Sequence, residues 1–139
     1  MNISLKGKRA LIGGSSRGLG FAVAKQLARS GASVTLMSRN ENKLKEIVAN
    51  LESETKNKHN YLVVDFNNFS SFKTTILSFL KNNPIDILVN NTQGPKSGFI
   101  EDLSIEDYQD AFDLLFKSVV FTTISALPYM KKNNWGRIL

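Results

Sequence analysis

The sequence of 139 residues contains no cysteine, one histidine and three prolines. The lack of cysteine excludes a disulfide scaffold and thiolate metal sites, and His59 alone cannot build a histidine-rich metal centre. No apolar run approaches the ~18 residues of a membrane span. The first fifteen residues carry Lys6, Lys8 and Arg9 but no apolar signal core. These absences predict a cytoplasmic protein with no metal site and no membrane partner.

Hydrophobic residues, by contrast, make up 42% of the chain, which is enough to build a core and excludes wholesale disorder. The length fits one domain spanning residues 1–139. The net charge of +6 is uneven, because residues 1–60 hold eleven Lys or Arg against four Asp or Glu, whereas residues 61–139 hold seven against eight. A basic half is compatible with nucleic acid, with an anionic ligand or with a solvated face.

Short apolar runs alternate with segments of helical periodicity along the chain. Strands are predicted at 9–13, 33–37, 61–64 and 85–89, with a fifth beginning near 137. Helices are predicted at 19–30, from an N-cap at Asn40 through Leu51, at 70–81, and at 104–131 with a capping box at Ser104. Four strand–helix units predict a parallel sheet with right-handed crossovers. The expected fold class is therefore α/β, a doubly wound parallel sheet of the Rossmann type in three α/β/α layers.

The last predicted helix is apolar over a wide surface. Its main stripe comprises Phe112, Leu115, Phe116, Val119, Val120, Thr123, Ile124 and Leu127, with Leu114 and Phe121 lying away from it. Pro128 is expected to kink or end its last turns. Because the chain stops inside an apparent strand, we expect an exposed sheet edge and an exposed helix flank. Either a partner chain covers both, or the residues form the front part of a longer protein, which is the interpretation we favour.

A glycine-rich segment from Gly13 to Gly20 lies between the first predicted strand and the first predicted helix. Free backbone N–H groups at a helix N-terminus attract anions, and glycines let the backbone approach a diphosphate closely. A P-loop is excluded because no lysine follows Gly18, and the ordinary G-x-G-x-x-G spacing fits poorly. The pattern present is G-x-x-x-G-x-G, starting at Gly14. A tight turn without a ligand is the alternative interpretation.

Together with three further motifs, this segment makes the sequence resemble the short-chain dehydrogenase/reductase family along its whole length, and most closely its 3-oxoacyl-carrier-protein reductases. The other matches are Asp65 at the end of the third strand, which in the family contacts adenine; NNTQG at 90–94, which is similar to the family's Asn-Asn-Ala-Gly; and 127–130 with 136–139, which resemble the segment leading into the fifth strand. Thr92 and Gln93 replace the usual Ala and Gly, and we expect them to narrow the cofactor cleft.

The resemblance implies a dinucleotide cofactor, and the end of the second strand indicates which one. An NAD-type site carries Asp or Glu there, whereas this sequence has Ser38 followed by Arg39. A guanidinium can pair with a 2′-phosphate through two hydrogen bonds, and Arg17 could approach the same phosphate. We therefore expect NADP(H), with a solvated surface charge as the alternative for Arg39. The predicted cofactor-binding residues are Gly14, Ser15, Ser16, Arg17, Gly18, Leu19, Gly20, Ser38, Arg39, Asp65, Phe66, Asn91, Thr92 and Gly94, of which Asp65 has a strand-end cap as its alternative role.

The catalytic residues of the family have no counterparts in this sequence. The family donates a proton from a tyrosine whose pKa is lowered by a lysine four residues later, and a serine orients the carbonyl. Four residues after the three tyrosines stand Asp65, Phe112 and Asn133, so no Tyr-x-x-x-Lys exists. The helix asparagine that the family often adds corresponds to Leu115. We therefore predict no catalytic residue within the 139 positions.

Two functions from different classes follow from these observations. The first is an NADP(H)-dependent reductase that converts a carbonyl, either a 3-oxoacyl group or a small ketone, to an alcohol by hydride transfer, with this chain supplying the cofactor half. The second is a dinucleotide-binding or sensing module without catalysis, which the missing Tyr-x-x-x-Lys favours. Nucleic-acid binding is disfavoured, since most phenylalanines fall on predicted buried stripes. The resemblance also implies a small carbonyl or hydroxy substrate and a homodimer or homotetramer.

Overall fold

The computed structural model describes residues 3–139, which form one parallel five-stranded sheet flanked by helices. The strands are β1 Arg9–Ile12, β2 Ser33–Ser38, β3 Asn60–Val63, β4 Ile87–Val89 and β5 Arg137–Ile138. The helices are α1 Gly18–Arg29, α2 Glu41–Thr55, α3 Phe69–Asn82, α4 Ile105–Phe112 and α5 Ser118–Lys132. The strand order β3-β2-β1-β4-β5 is the doubly wound arrangement that the strand–helix alternation predicts.

The core consists of two apolar layers, one on each side of the sheet. Successive side chains of a strand point to opposite faces, so Ala10 and Ile12 join one layer while Leu11 joins the other. The first layer is completed mainly by α1 and α2, and the second mainly by α3 and α5. β1 is buried because it lies between β2 and β4, where Leu11 is opposite Thr35 on one side and Leu88 on the other.

Side-chain caps begin three of the helices. The Asn40 side chain accepts a hydrogen bond from Lys43 N at the start of α2, and Asn68 accepts one from Ser71 N at the start of α3. At the start of α4, Ser104 forms the predicted capping box with Asp107. Helix α1 has no such cap, because its N-cap position holds Arg17, whose side chain makes no capping hydrogen bond.

The long helix predicted at 104–131 is interrupted by a π-helical segment, Asp113–Lys117, between α4 and α5. For the predicted apolar stripe, periodicity left open whether it packs on the sheet or contacts a partner, and the stripe is mostly not the face that is buried. The buried stripe consists of Leu114, Ser118, Thr122, Ala126 and Met130, while the large side chains of the predicted stripe are exposed or half-buried. Small side chains allow a helix to pack closely. The hydroxyl groups of Ser118 and Thr122 cost little to bury, because they donate to Leu114 O at 2.5 Å and Ser118 O at 2.8 Å.

Helix α5 continues to Lys132, so Pro128 does not end it. In the helical run from Ile105 to Lys132, an 18-residue window is long and apolar enough to cross a membrane, contrary to the expectation from uninterrupted apolar runs. Core helices that meet the same criterion are mostly buried, whereas 22% of this window is buried, and Phe121 packs edge-on against Phe69 of α3 with 5.6 Å between the ring centroids. The criterion alone does not assign the run to a membrane.

The fifth strand predicted near 137 is present as β5, which pairs in parallel with β4. Leu139 N donates to Leu88 O, and Leu139 O accepts from Asn90 N at 2.8 Å. Both residues of β5 are exposed, and β5 is the edge strand on this side of the sheet that residues 3–139 form.

Candidate functional site

A cleft of about 570 Å³ lies at the carboxyl ends of β1, β2 and β4, the edge at which open parallel sheets bind ligands. We refer to it as the strand-end cleft. Eleven of the fourteen predicted site residues line it, namely Gly14, Ser16, Arg17, Gly18, Leu19, Ser38, Arg39, Phe66, Asn91, Thr92 and Gly94. Ser15, Gly20 and Asp65 do not line it. Two lining residues, Asn40 and Lys43, were not predicted at the site, and Gln93, which was expected to narrow the cleft, also lines it.

The glycines of the β1–α1 loop are required by conformation and by space. Gly14 and Gly18 have φ angles of +53° and +55°, which L side chains rarely adopt. A Cβ on Gly13 would lie 2.0 Å from Asn91 O, and one on Gly20 would lie 2.4 Å from Gly14 O. The loop can therefore turn tightly into α1 and lie directly against the β4–α4 loop.

Asn91 joins the two loops that form the wall of the cleft. Its side-chain Nδ2 donates to Gly13 O at 3.1 Å and to Gly14 O at 3.3 Å. One amide therefore satisfies two carbonyl groups that would otherwise lack partners in a tight turn. Asn91 acts on the shape of the cleft through these bonds, and it also lines the cleft.

Ser15 lies between Gly14 and Ser16, which line the cleft, but is itself buried and does not line it. Its Oγ donates to Ile12 O at 2.9 Å while accepting from Met37 N at 2.9 Å. Its own backbone N–H donates to Met37 O at 3.1 Å. The side chain therefore fixes the loop to β2, and its hydroxyl already has both a donor and an acceptor partner inside the protein.

The N-terminus of α1 faces the cleft without a side-chain cap, since Gly18 and Leu19 both line the cleft. The first N–H groups of a helix have no partner within it, and the helix dipole favours negative charge at that end. A dinucleotide diphosphate supplies the acceptors that such a helix end needs. The residues present therefore fit the phosphate portion of a dinucleotide.

The charged side chains that line the cleft are all cationic. Arg17 and Arg39 are exposed, and within residues 3–139 neither forms an ion pair. Lys43 is the third cation, and its Nζ lies 3.0 Å from Glu46 Oε2. No carboxylate of the described residues lines the cleft. Ser38, at the end of β2, accepts a hydrogen bond from Asn40 N at 3.3 Å.

Asp65 lies just beyond β3 and forms a turn there. Its Oδ1 accepts from Asn67 N at 3.0 Å, and its carbonyl accepts from Asn68 N. This is the strand-end role that the sequence analysis kept as an alternative, and contact with adenine remains a prediction. Phe66, the next residue, is buried, lines the cleft and lies 5.1 Å from the Phe72 ring.

The remaining candidates for chemistry lie away from the cleft. Leu115, the counterpart of the family's helix asparagine, lies in the π-helical segment and is 46% exposed, whereas its neighbour Leu114 points into the core. Tyr129 OH accepts from Arg9 at the opposite end of the sheet, and Tyr61 OH donates to Glu41. Residues 3–139 contain no cluster of three His, Cys, Asp or Glu side chains that could hold a metal ion.

Comparison with known proteins gives consistent matches. The model of a family described as short chain dehydrogenase matches residues 8–139. An uncharacterised oxidoreductase of Staphylococcus epidermidis is 33% identical over 135 residues, covering 97% of this chain and 57% of that protein. A 3-oxoacyl-[acyl-carrier-protein] reductase of Chlamydia pneumoniae is 29% identical, covering 100% of this chain and 56% of that protein. The chain thus spans about half the length of the curated relatives it matches.

Solved structures give the same picture. An L-sorbose reductase from Gluconobacter frateurii, complexed with NADPH and L-sorbose, has a TM-score of 0.90 and 28% identity. The matched region covers 99% of this chain and 53% of the sorbose reductase chain. A 3-oxoacyl (acyl-carrier-protein) reductase from Agrobacterium tumefaciens with NADP bound has a TM-score of 0.88 and 29% identity, with coverages of 97% and 52%.

Proposed function

The chain belongs to the short chain dehydrogenase family, and on that premise we propose that it supplies the cofactor-binding half of an NADP(H)-dependent reductase that converts a carbonyl to an alcohol. One observation carries the cofactor assignment: the strand-end cleft joins an uncapped helix N-terminus to Arg17 and Arg39, with no lining carboxylate. The NADPH and NADP in the sorbose reductase and 3-oxoacyl reductase structures support the same assignment.

In this proposal, different parts of the cleft hold different parts of the cofactor. The β1–α1 loop and the N-terminus of α1 bind the diphosphate through backbone N–H groups. Arg17 and Arg39 bind the 2′-phosphate, which a guanidinium can grip through paired hydrogen bonds. Ser38 stands where an NAD-type site has an acidic residue, so the phosphate meets no opposing charge there. When bound, the cofactor supplies the hydride that the reduction requires.

The substrate proposed is a 3-oxoacyl group or another small ketone. The similarity to 3-oxoacyl reductases and to a sorbose reductase supports this class of substrate. We also propose a cytoplasmic location and a homodimer or homotetramer. Large apolar side chains exposed along α4, the π-helical segment and α5 support the oligomer.

A dinucleotide-binding module without catalysis is the second candidate. It is favoured by Leu115 at the position of the asparagine that the family often carries in this helix. Oxidation of NADPH by the purified full-length gene product in the presence of a panel of small ketones distinguishes the candidates, because no catalytic residue is predicted within the 139 positions themselves. Turnover with any ketone supports the reductase, and NADPH binding without turnover supports the module.

The cofactor assignment is tested by titrating the protein with NADPH and with NADH, for the parent protein and for Arg39→Met. Hydrogen bonds to charged groups contribute about 1.5–3 kcal/mol, so we expect the variant to lose about tenfold or more of its NADPH affinity. NADH affinity should stay the same, because NADH lacks the 2′-phosphate.

The control is Arg29→Met. Arg29 is the last residue of α1, at the end away from the cleft, and it pairs with Glu54 of α2. This variant should bind NADPH like the parent. An equal loss of NADPH and NADH affinity in Arg39→Met would contradict a 2′-phosphate role for Arg39.

A further inference from the structure

Lys43 lines the strand-end cleft together with Arg17 and Arg39, although no sequence motif marks it. We propose that Lys43 is a third cation for the 2′-phosphate, and that Glu46 is a resting counter-ion which Lys43 exchanges for the phosphate when NADP(H) binds. This inference rests on the proposed cofactor, and it assigns to Lys43 and Glu46 a share in the discrimination between NADP(H) and NAD(H).

The position of Lys43 follows from the start of α2. The Asn40 side chain caps the helix by accepting from Lys43 N at 2.9 Å, which fixes the Lys43 backbone in the first turn. That turn follows Ser38, Arg39 and the capping residue Asn40, all of which line the cleft. The helix start therefore holds Lys43 at the mouth of the cleft, and its long side chain can reach a ligand there.

The partner of Lys43 in the structure is Glu46, three residues along the same helix. Nζ lies 3.1 Å from Oε1 and 3.0 Å from Oε2, and the side chains are 47% and 59% exposed. An ion pair exposed to this extent is weak, because water screens it and two long side chains must be ordered to form it. Glu46 itself does not line the cleft. Lys43 therefore has an ion-pair partner in the structure, but this pair is weak enough to be exchanged for another anion.

A phosphate monoester is a stronger partner for Lys43 than a carboxylate. It carries close to two negative charges at pH 7 and offers three acceptor oxygens. At this site it would also be attracted by Arg17 and Arg39, which form no ion pairs within residues 3–139. Moving Nζ from Glu46 to the phosphate thus replaces a weak pair by a stronger one, while Glu46 returns to water.

The same helix contains a matched control. Lys45 forms an ion pair with Glu41 at 2.8 Å, and these side chains are 55% and 51% exposed. Lys45 differs from Lys43 in the one respect that matters, because it does not line the cleft. Lys43→Met and Lys45→Met therefore remove equal charge from the same helix, and only the former removes a cation from the cleft.

The test is equilibrium binding of NADPH and NADH to the purified protein, followed by nucleotide fluorescence at low and moderate salt. Lys43→Met should weaken NADPH binding by about fivefold at low salt, as expected for the loss of one partly exposed charge interaction. NADH binding should change by less than about twofold, and the NADPH effect should shrink at higher salt. Lys45→Met should leave both affinities at the parent values.

Glu46→Gln tests the exchange itself. Releasing Lys43 from its counter-ion should tighten NADPH binding by about twofold in the parent protein. The same substitution should have no effect in the Lys43→Met background, since no lysine remains to be released. Thermal unfolding of all variants identifies any change in affinity that arises from a loss of folded protein.

The outcomes separate this inference from the proposed function. If the parent protein binds NADH as tightly as NADPH, the proposed cofactor preference fails, and the role of Lys43 fails with it. If the parent prefers NADPH but Lys43→Met and Lys45→Met behave alike, the role of Lys43 alone is overturned. Equal effects of Glu46→Gln in both backgrounds would overturn the exchange.

Discussion

Among single residues, Gly20 has the least room for a side chain within α1. A Cβ there would lie 2.4 Å from Gly14 O and 2.7 Å from Asn91 Nδ2. We expect Gly20→Ala to push α1 away from the glycine loop and to destabilise the protein by about 1–3 kcal/mol, the usual cost of overpacking. Urea unfolding measures the loss, and weaker NADPH binding should accompany it.

Gly94→Ala is the control for this prediction. Gly94 also lines the cleft, but a Cβ on it would meet no atom within 4 Å, and it is not among the glycines with a positive φ angle. The unfolding free energy of Gly94→Ala should match that of the parent. If the two alanine variants were equally stable, close approach of the backbone would not be the reason for glycine at position 20.

The sequence predicted most of the cleft because its residues follow strand ends, which meet at one edge of a parallel sheet. It did not predict how Ser15 is used, since the partner Met37 N is set by backbone geometry rather than by a motif. For Asp65 it offered the strand-end turn to Asn67 N as the alternative to a contact with adenine. Lys43 was missed because the glycine and β2 motifs end before α2. The available signal was its place in the first turn after Arg39.

Among the elements, β2 is joined to the end of α2 through His59. Its Nδ1 accepts from Val34 N at 3.1 Å, and its Nε2 lies 2.8 Å from Thr55 Oγ1. Because the Thr55 hydroxyl donates its proton to Leu51 O, its Oγ1 accepts the hydrogen bond from Nε2–H of His59. Nδ1 accepts a hydrogen bond and therefore carries no proton, so the ring is neutral. Burial lowers the pKa of His59 below its usual value, and attraction to Glu52 opposes the shift only in part.

This lowered pKa makes stability depend on pH. The free energy that neutral His59 contributes to stability is fully present at pH values above the pKa of histidine in the unfolded state, which is about 6.5. It is lost as the pH falls through the lower pKa of His59 in the folded state, because the unfolded state binds the proton first. We expect the free energy of unfolding, measured with urea, to fall between pH 7.5 and pH 5. His59→Gln should flatten that part of the curve.

The carboxylates provide the internal control for this experiment. The pKa of Glu52 is lowered chiefly by the hydrogen bond from the His59 backbone N–H, so its contribution is lost only at pH values below its ordinary value of 4.5. A variant at His59 that kept the full slope between pH 7.5 and pH 5 would show that other groups cause it.

The helices differ in how well periodicity predicted them. In α3, the apolar side chains at helical spacing predict a buried stripe of Phe72, Ile76, Phe79 and Leu80, of which the first three are buried and Leu80 is half-buried. The segment from Phe112 to Leu127 is apolar on several sides, and periodicity then cannot choose between them. The structure places the small residues of α5 inward and leaves Phe116 and Ile124 57% and 62% exposed. No sequence motif predicts the π-helical segment, which shifts the register of side chains between α4 and α5.

For the molecule as a whole, the exposed apolar side chains between Phe112 and Ile124 form the surface to which we assign the proposed self-association. We expect Phe116→Gln combined with Ile124→Gln to lower the molar mass measured by light scattering towards that of the monomer. Thermal stability of the fold itself should change little, because substitutions at exposed positions usually stay within about 0.5 kcal/mol.

Leu77→Gln is the matched control, since Leu77 is 47% exposed on α3, outside this surface. Its molar mass should equal that of the parent. A parent protein that is monomeric at all concentrations would contradict the role of this surface, and an unchanged mass in the double variant would place the contact elsewhere.

The overall fold was predictable because alternation of strands and helices leaves few topologies once crossovers are right-handed. The order β3-β2-β1-β4-β5 and the three layers obey that rule, which other doubly wound strand orders obey as well. Which face of the last helix meets the sheet depends on side-chain volume and on back-bonded hydroxyl groups such as those of Ser118 and Thr122, and neither enters a pattern of apolar positions.

The bonds of Ser15 and Asn91 have a kinetic consequence. They tie the glycine loop to β2 and to the β4–α4 loop from inside the protein. The loop therefore loses its conformational entropy when the protein folds and not when a nucleotide binds. The arriving phosphates need to displace only water and mobile side chains, so association should proceed at the pace of diffusion and orientation, without waiting for the backbone to rearrange.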